Sequence, residues 1–81
     1  MGDPKELNRI IGCKIRKERL NRKVSQERLA KVLGISHQQL QKNERGKDRT
    51  SAVRLFLISQ FLEVPIDEFF LELRSHVHSR H

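Results

Sequence analysis

The stretch "SQERLAKVLGISHQQLQKNERGK", Ser25 to Lys47, decides the fold. Ser25 is a helix N-cap candidate, and Glu27 follows in the first turn, where an acid favours the helix dipole. Leu29, Ala30, Val32 and Leu33 then supply an apolar face. Gly34 stops this helix after eight or nine residues, because glycine enters the left-handed region at little cost. One apolar residue, Ile35, separates it from Ser36 and Gln39, a capping box of the Ser-x-x-Gln kind. A further helix therefore begins at once and runs to about Arg45, where Gly46 ends it. Two short helices joined by a three- or four-residue turn containing glycine form a helix-turn-helix pattern.

The flanks read as helices too. Asp3-Pro4-Lys5-Glu6 is a helix start, with Asp3 as cap and Pro4 at the first helical position. Leu7, Ile10, Ile11 and Ile15 recur at three- and four-residue steps, so this first helix should reach about Asn21. Gly12 inside it costs about 1 kcal/mol against alanine, which points to close helix packing at that place. Ser51 caps a fourth helix carrying Val53, Leu55, Phe56, Ile58 and Leu62, and Val64-Pro65 breaks it. Ile66 to about Leu73 reads as a short fifth helix with Phe69 and Phe70 turned inward. No stretch alternates with period two, so the class is all-α, five short helices around one core. The expected domain is 1–73, with 74–81 a flexible tail.

Size and charge narrow the function. At 81 residues there is room for one small domain, which buries only about 60% of its unfolded surface. Net charge is +7, unevenly spread. Residues 1–54 hold fifteen Lys/Arg against six Asp/Glu, a balance of +9; residues 55–81 hold two against four, a balance of −2. That asymmetry fits a polyanionic partner met by the first two-thirds of the chain, or else a basic surface that serves solubility. The single cysteine, Cys13, allows no internal disulfide and suits a reducing, cytoplasmic setting. No apolar run approaches the ~18 residues of a membrane span, and no N-terminal stretch has the pattern of a secretion signal.

The third helix is unusually polar. Leu40 is its core residue, and Asn43 and Glu44 share that face by helical spacing. The opposite face starts with His37, Gln38 and Gln39 and continues with Gln41, Lys42 and Arg45, with no carboxylate among them. A side-chain amide can bond an adenine edge with two hydrogen bonds, and a Lys or Arg can do the same to guanine. In a DNA-binding helix-turn-helix the first turn of the recognition helix meets bases in the major groove, although any exposed helix face is polar.

The quoted stretch, with "IRKERLNRKV" before it and "VRLFLISQFLEVPIDEFF" after it, resembles the phage-repressor/Cro (XRE) type helix-turn-helix family over about residues 10–70. "HQQLQKNERG" is closest to a bacterial subgroup whose recognition helix reads QQ-apolar-QK-aromatic-E-x-G. The resemblance implies a compact five-helix lambda-repressor-like DNA-binding domain. It implies base contacts from His37, Gln38, Gln39 and Lys42, and phosphate contacts from Gln26, Lys47 and Arg49. It pairs Arg19 with Glu44 in a partly buried salt bridge between the first and third helices. Three positions depart from the family pattern. Lys23 and Glu63 stand where glycines usually occupy left-handed positions. Asn43 stands where the subgroup has an aromatic, so looser packing is expected there.

The function implied is that of a sequence-specific double-stranded DNA-binding regulator of transcription, acting as a repressor. Family members usually dimerise, and Leu71 and Leu73 on the fifth helix are a candidate homodimer surface, unless they close the monomer's own core. The alternative is a protein-interaction module on the same fold, an antitoxin or a coactivator-like adaptor. The His76-x-His78-x-x-His81 pattern could offer imidazoles to zinc but lacks cysteine or a second shell, and Cys13 has no histidine fixed beside it by sequence. With no phosphate-cradling glycine loop and no acid/base pair, an enzyme, a metal and a cofactor are not expected.

Overall fold

The computed structural model describes residues 2–78, with His78 by its backbone alone. Its elements are α1 (Pro4–Asn21), α2 (Gln26–Leu33), α3 (His37–Arg45), α4 (Ala52–Leu62), a 3-10 turn (Ile66–Phe70) and α5 (Leu71–His78). Among the described residues there is no strand.

Local chemistry sets the helix starts. The Asp3 carboxylate accepts from the Lys5 N–H at 3.0 Å, and the Ser25, Ser36 and Ser51 hydroxyls accept from the N–H groups of Arg28, Gln39 and Arg54 at 3.0–3.1 Å. Each bond occupies a donor that has no partner inside its own helix. The ends of α2, α3 and α4 share one geometry. At the first of them Gly34 is left-handed (φ 69°), its N–H bonds the Lys31 carbonyl, and the next N–H, of Ile35, bonds that of Ala30. This is the Schellman arrangement. Glu63 repeats it at the end of α4 without being glycine (φ 57°), and Lys23 is left-handed after α1 (φ 55°). Both departures from glycine thus take the conformation expected of them.

The core gathers Ile15, Leu29, Ala30, Leu40, Leu55, Ile58, Leu62, Val64 and Phe69, with Ile11, Leu33, Phe61 and Phe70 packed at its margin. Five residues assigned to apolar faces lie outside it, of which Leu7 and Ile10 on α1 are half-buried. Val32, Phe56 and Val53 are exposed, the last by 70%. The sequence of α4 is apolar on nearly every side, yet only one side can meet the core, and Leu55, Ile58 and Leu62 take it by helical spacing.

Helix α1 lies directly on α3. A Cβ on Gly12 would fall on the carbonyl oxygens of Asn43 and Glu44, and one on Gly46 would come within 2.5 Å of the Arg9 Cα. Glycine at both places lets the two backbones touch.

The chain after Pro65 differs from expectation. Pro65 offers no side-chain cap, and its carbonyl accepts from the Glu68 N–H at 2.9 Å in a tight 3-10 turn. An α-helix then continues to His78, past the end expected near Leu73, because no glycine or proline intervenes to stop it. The expected tail of 74–81 thus begins inside a helix, and residues 79–81 lie outside the described residues.

Candidate nucleic-acid interface

The turn between α2 and α3 presents the first turn of α3 at the surface. His37, Gln38, Lys42 and Arg45 are exposed there, whereas Leu40, Asn43 and Glu44 on the opposite face are buried. Helical periodicity alone places this division.

Behind the exposed face runs a chain of hydrogen bonds from the interior outward. Arg19 Nε and Nη2 donate to Glu44 Oε2 and Oε1 at 2.7 and 3.0 Å, and Nη1 donates to the Val24 carbonyl at 2.9 Å. Both side chains are nearly sealed, at 7% and 1% exposure. Glu44 Oε1 also accepts from Gln26 Nε2 at 2.9 Å, and Gln26 Oε1 lies 2.5 Å from His37 Nε2. An amide oxygen only accepts, so the imidazole carries its proton on Nε2 here. Gln26 and His37, expected to make separate phosphate and base contacts, are therefore bonded to each other. That bond fixes the start of α2 against the start of α3.

Gln39 behaves differently from its neighbours. It does not complete the capping box; its Nε2 donates to Asp48 Oδ2 at 3.2 Å. The face is thus not free of carboxylates, because Asp48 reaches it from the following loop. The sequence separation of nine residues hides this contact from a reading of α3 alone.

That loop also carries Lys47 and Arg49, both exposed. Asn43 ties it down. Its Nδ2 donates to the carbonyls of Asp48 and Arg49 at 3.3 and 3.2 Å, and its Oδ1 accepts from Arg54 Nη1 at 3.0 Å. Asn43 is completely buried. The looser packing expected for it is not found, since hydrogen bonds do the work an aromatic ring would do. The signal in the sequence was a polar residue on the buried side of α3; its partners were not readable.

Arg16 and Arg45 flank a polar hollow of about 250 Å³ floored by the Arg19–Glu44 pair. Cys13 is exposed. Among the described residues no group of three or more His, Cys, Asp or Glu is placed to hold a metal, and no helix is long and apolar enough to cross a membrane. The side chains of His78 and His81 lie outside the described residues.

Comparison with known proteins agrees with this architecture. The family model described as helix-turn-helix matches residues 15–69. An uncharacterized transcriptional regulator in the ATPase CF(0) region of Rhodospirillum rubrum is 48% identical over 63 residues, covering 78% of this chain and 58% of that protein. An uncharacterized HTH-type transcriptional regulator of Sinorhizobium medicae is 45% identical over 67 residues, covering 83% and 48%. The chain spans about half the length of these relatives. The clp gene regulator ClgR from Corynebacterium glutamicum superposes with a TM-score of 0.79 over 86% of this chain and 91% of that one, at 23% identity. The restriction-modification controller protein C.AhdI from Aeromonas hydrophila does so with a TM-score of 0.72 over 80% and 97%, at 28% identity. The short caps, the glycine-hinged α2–α3 turn and these matches together make the chain a member of the helix-turn-helix family of transcriptional regulators, of the phage-repressor/Cro (XRE) type.

Proposed function

We propose that this chain binds double-stranded DNA by sequence and acts as a transcriptional repressor, reading the major groove with α3. The observation that carries the reading is the outward side of α3, where amides and amines stand exposed beside a basic loop and the N-terminus of α2. Gln38 and Lys42 are free for base edges. Gln39 reads with its amide oriented by Asp48, and His37 reads through its bond to Gln26. Lys47, Arg49 and Gln26, the last at the start of α2, meet phosphates, which fixes register without reading sequence.

A single domain of this size offers little contact area. Two copies related by a twofold would reach half-sites about 34 Å apart. Leu71, half exposed on α5, supports a homodimer there. A DNA partner implies the cytoplasm of a bacterial cell. The exposed Val53, Phe56 and Leu57 of α4 favour a second reading, a protein-interaction module on this fold.

Selection of bound sequences from random duplex DNA separates the two. A palindromic consensus with half-sites one helical turn apart is the expected result. Recovery of no sequence above the input pool would sink the DNA reading in favour of the adaptor.

A further inference from the structure

Position 43 is where this chain parts from the subgroup it resembles, and the geometry around it carries a role. The Asn43 amide is fully used. Its two N–H bonds go to the carbonyls of residues 48 and 49, and its oxygen takes a bond from Arg54 on α4. The orientation is fixed by chemistry, because a reversed amide would set N–H donors against the guanidinium and an oxygen against two carbonyls. Arg54 is half-buried, and its partner here is an amide rather than a carboxylate.

The two carbonyls held by Asn43 lie in the segment between and beside Lys47 and Arg49. The N–H groups of Lys47 and Asp48 are held from the other side by the Lys42 carbonyl, at 2.9 and 3.4 Å. The loop is thus gripped on its donors by the end of α3 and on its acceptors by Asn43. An aromatic at 43 could pack beneath the loop, but it could not bond two carbonyls. We infer that Asn43, oriented by Arg54, is a positioning residue for phosphate contact: it holds the loop in the one shape from which Lys47 and Arg49 reach the DNA backbone. This rests on the DNA-binding reading above. The benefit is preorganisation, since a loop already ordered loses less freedom on binding.

The test uses the 81-residue chain with two readouts, one of them independent of DNA. The first is amide hydrogen exchange at Lys47 and Asp48 in the free protein. The second is the salt dependence of binding to a random-sequence duplex. Asn43→Leu, close in size and unable to form any of the three bonds, should speed exchange at both amides. It should also lower the salt slope by about 1 to 2, since each phosphate contact contributes about 0.9. In that background Lys47→Ala should cost little more. If Asn43→Leu does not fold, Arg54→Met removes only the orienting bond and should move both readouts the same way by less. Wild-type exchange and slope in a folded variant would overturn the inference. So would weaker binding at an unaltered slope, which is the outcome of a merely structural role. A wild-type chain that binds no duplex overturns the DNA reading and the phosphate role with it, while faster loop exchange in the variants would still identify Asn43 and Arg54 as the loop's anchor.

Discussion

Arg19 and Glu44 face each other across the α1–α3 contact through two parallel hydrogen bonds of 2.7 and 3.0 Å, and the Glu44 side chain is 1% exposed. Removing one partner strands the other. Arg19→Met should therefore cost about 3–5 kcal/mol, the range for breaking a buried pair one-sidedly. The double variant Arg19→Met with Glu44→Leu should recover much of that loss, because no charge is then left buried. Urea denaturation with matched slopes measures both. A single variant within 1 kcal/mol of wild type would contradict this account.

Gly12→Ala sets two effects against each other. Alanine gains about 1 kcal/mol in helix propensity. Its methyl group, however, falls on the carbonyl oxygens of Asn43 and Glu44, the second at 2.6 Å, and backbone cannot swing aside as a side chain can. Overpacking of this kind costs about 1–3 kcal/mol. The steric term should win, and thermal melting should show a lower midpoint than wild type. A midpoint above wild type would mean that α1 and α3 have room to separate.

The fold was legible where its causes are local. Asp3, Ser25, Ser36 and Ser51 each cap a helix through an N–H two or three residues away, so sequence spacing alone identifies them. What escaped depends on contacts between segments. Gln39 could serve Ser36 or Asp48, and only the folded loop decides for Asp48. Asn43 read as a packing defect because its partners, residues 48, 49 and 54, are set by tertiary structure. On α4, Val53 and Phe56 are as apolar as Leu55, and nothing short of the packing direction separates them. In the candidate site, helical period sorted α3 into buried and outward faces. The Gln26–His37 bond was not readable, since it depends on how α2 and α3 cross.

Lys23 and Glu63 hold left-handed conformations, with φ of 55° and 57°. A side chain with a Cβ pays about 1 kcal/mol or more for that region. Lys23→Gly and Glu63→Gly should each stabilise the domain by up to about 1 kcal/mol, net of the entropy that glycine adds to the unfolded chain. For a domain of this size that is a rise in Tm of about 4–8 °C. Glu63→Val, β-branched at the same place, should lower Tm; a rise with valine would mean that the helix end is not held in this geometry.

Glu18 sits between Lys14 and Arg22 on α1, with Oε2 and Oε1 at 2.7 and 2.6 Å from their nitrogens. The hydrogen bond from Lys14 lowers its pKa most, partial burial opposes this, and Arg22 lowers it further. A folded-state value below the unfolded one means that ionised Glu18 stabilises the domain above the ordinary carboxylate range. That contribution fades as pH falls through the depressed value. Glu18→Gln should be less stable near neutral pH by roughly 0.5–1 kcal/mol, two helix ion pairs being lost. The two stability curves should converge in acid, once the pH lies below that depressed value. A gap that persists in acid would assign the loss to packing instead.

The proposed division between base reading and backbone contact yields the last pair of variants. Gln38 is exposed in the first turn of α3, and Lys47 is exposed in the loop after it. Gln38→Ala should keep its affinity for random duplex while losing about 1–3 kcal/mol of preference for the selected site, the value of one good bidentate contact. Lys47→Ala should weaken binding to every duplex alike and reduce the salt slope by about 1. Titrations against cognate and random DNA at two salt concentrations separate the four quantities. The Gln38 side chain lies on the outward face and makes no hydrogen bond among the described residues, so its truncation breaks no contact that holds the fold. Lys47 donates its backbone N–H to Lys42, which alanine retains, so only the charge is lost. Equal losses on both DNAs from both variants would refute the division of labour between helix and loop.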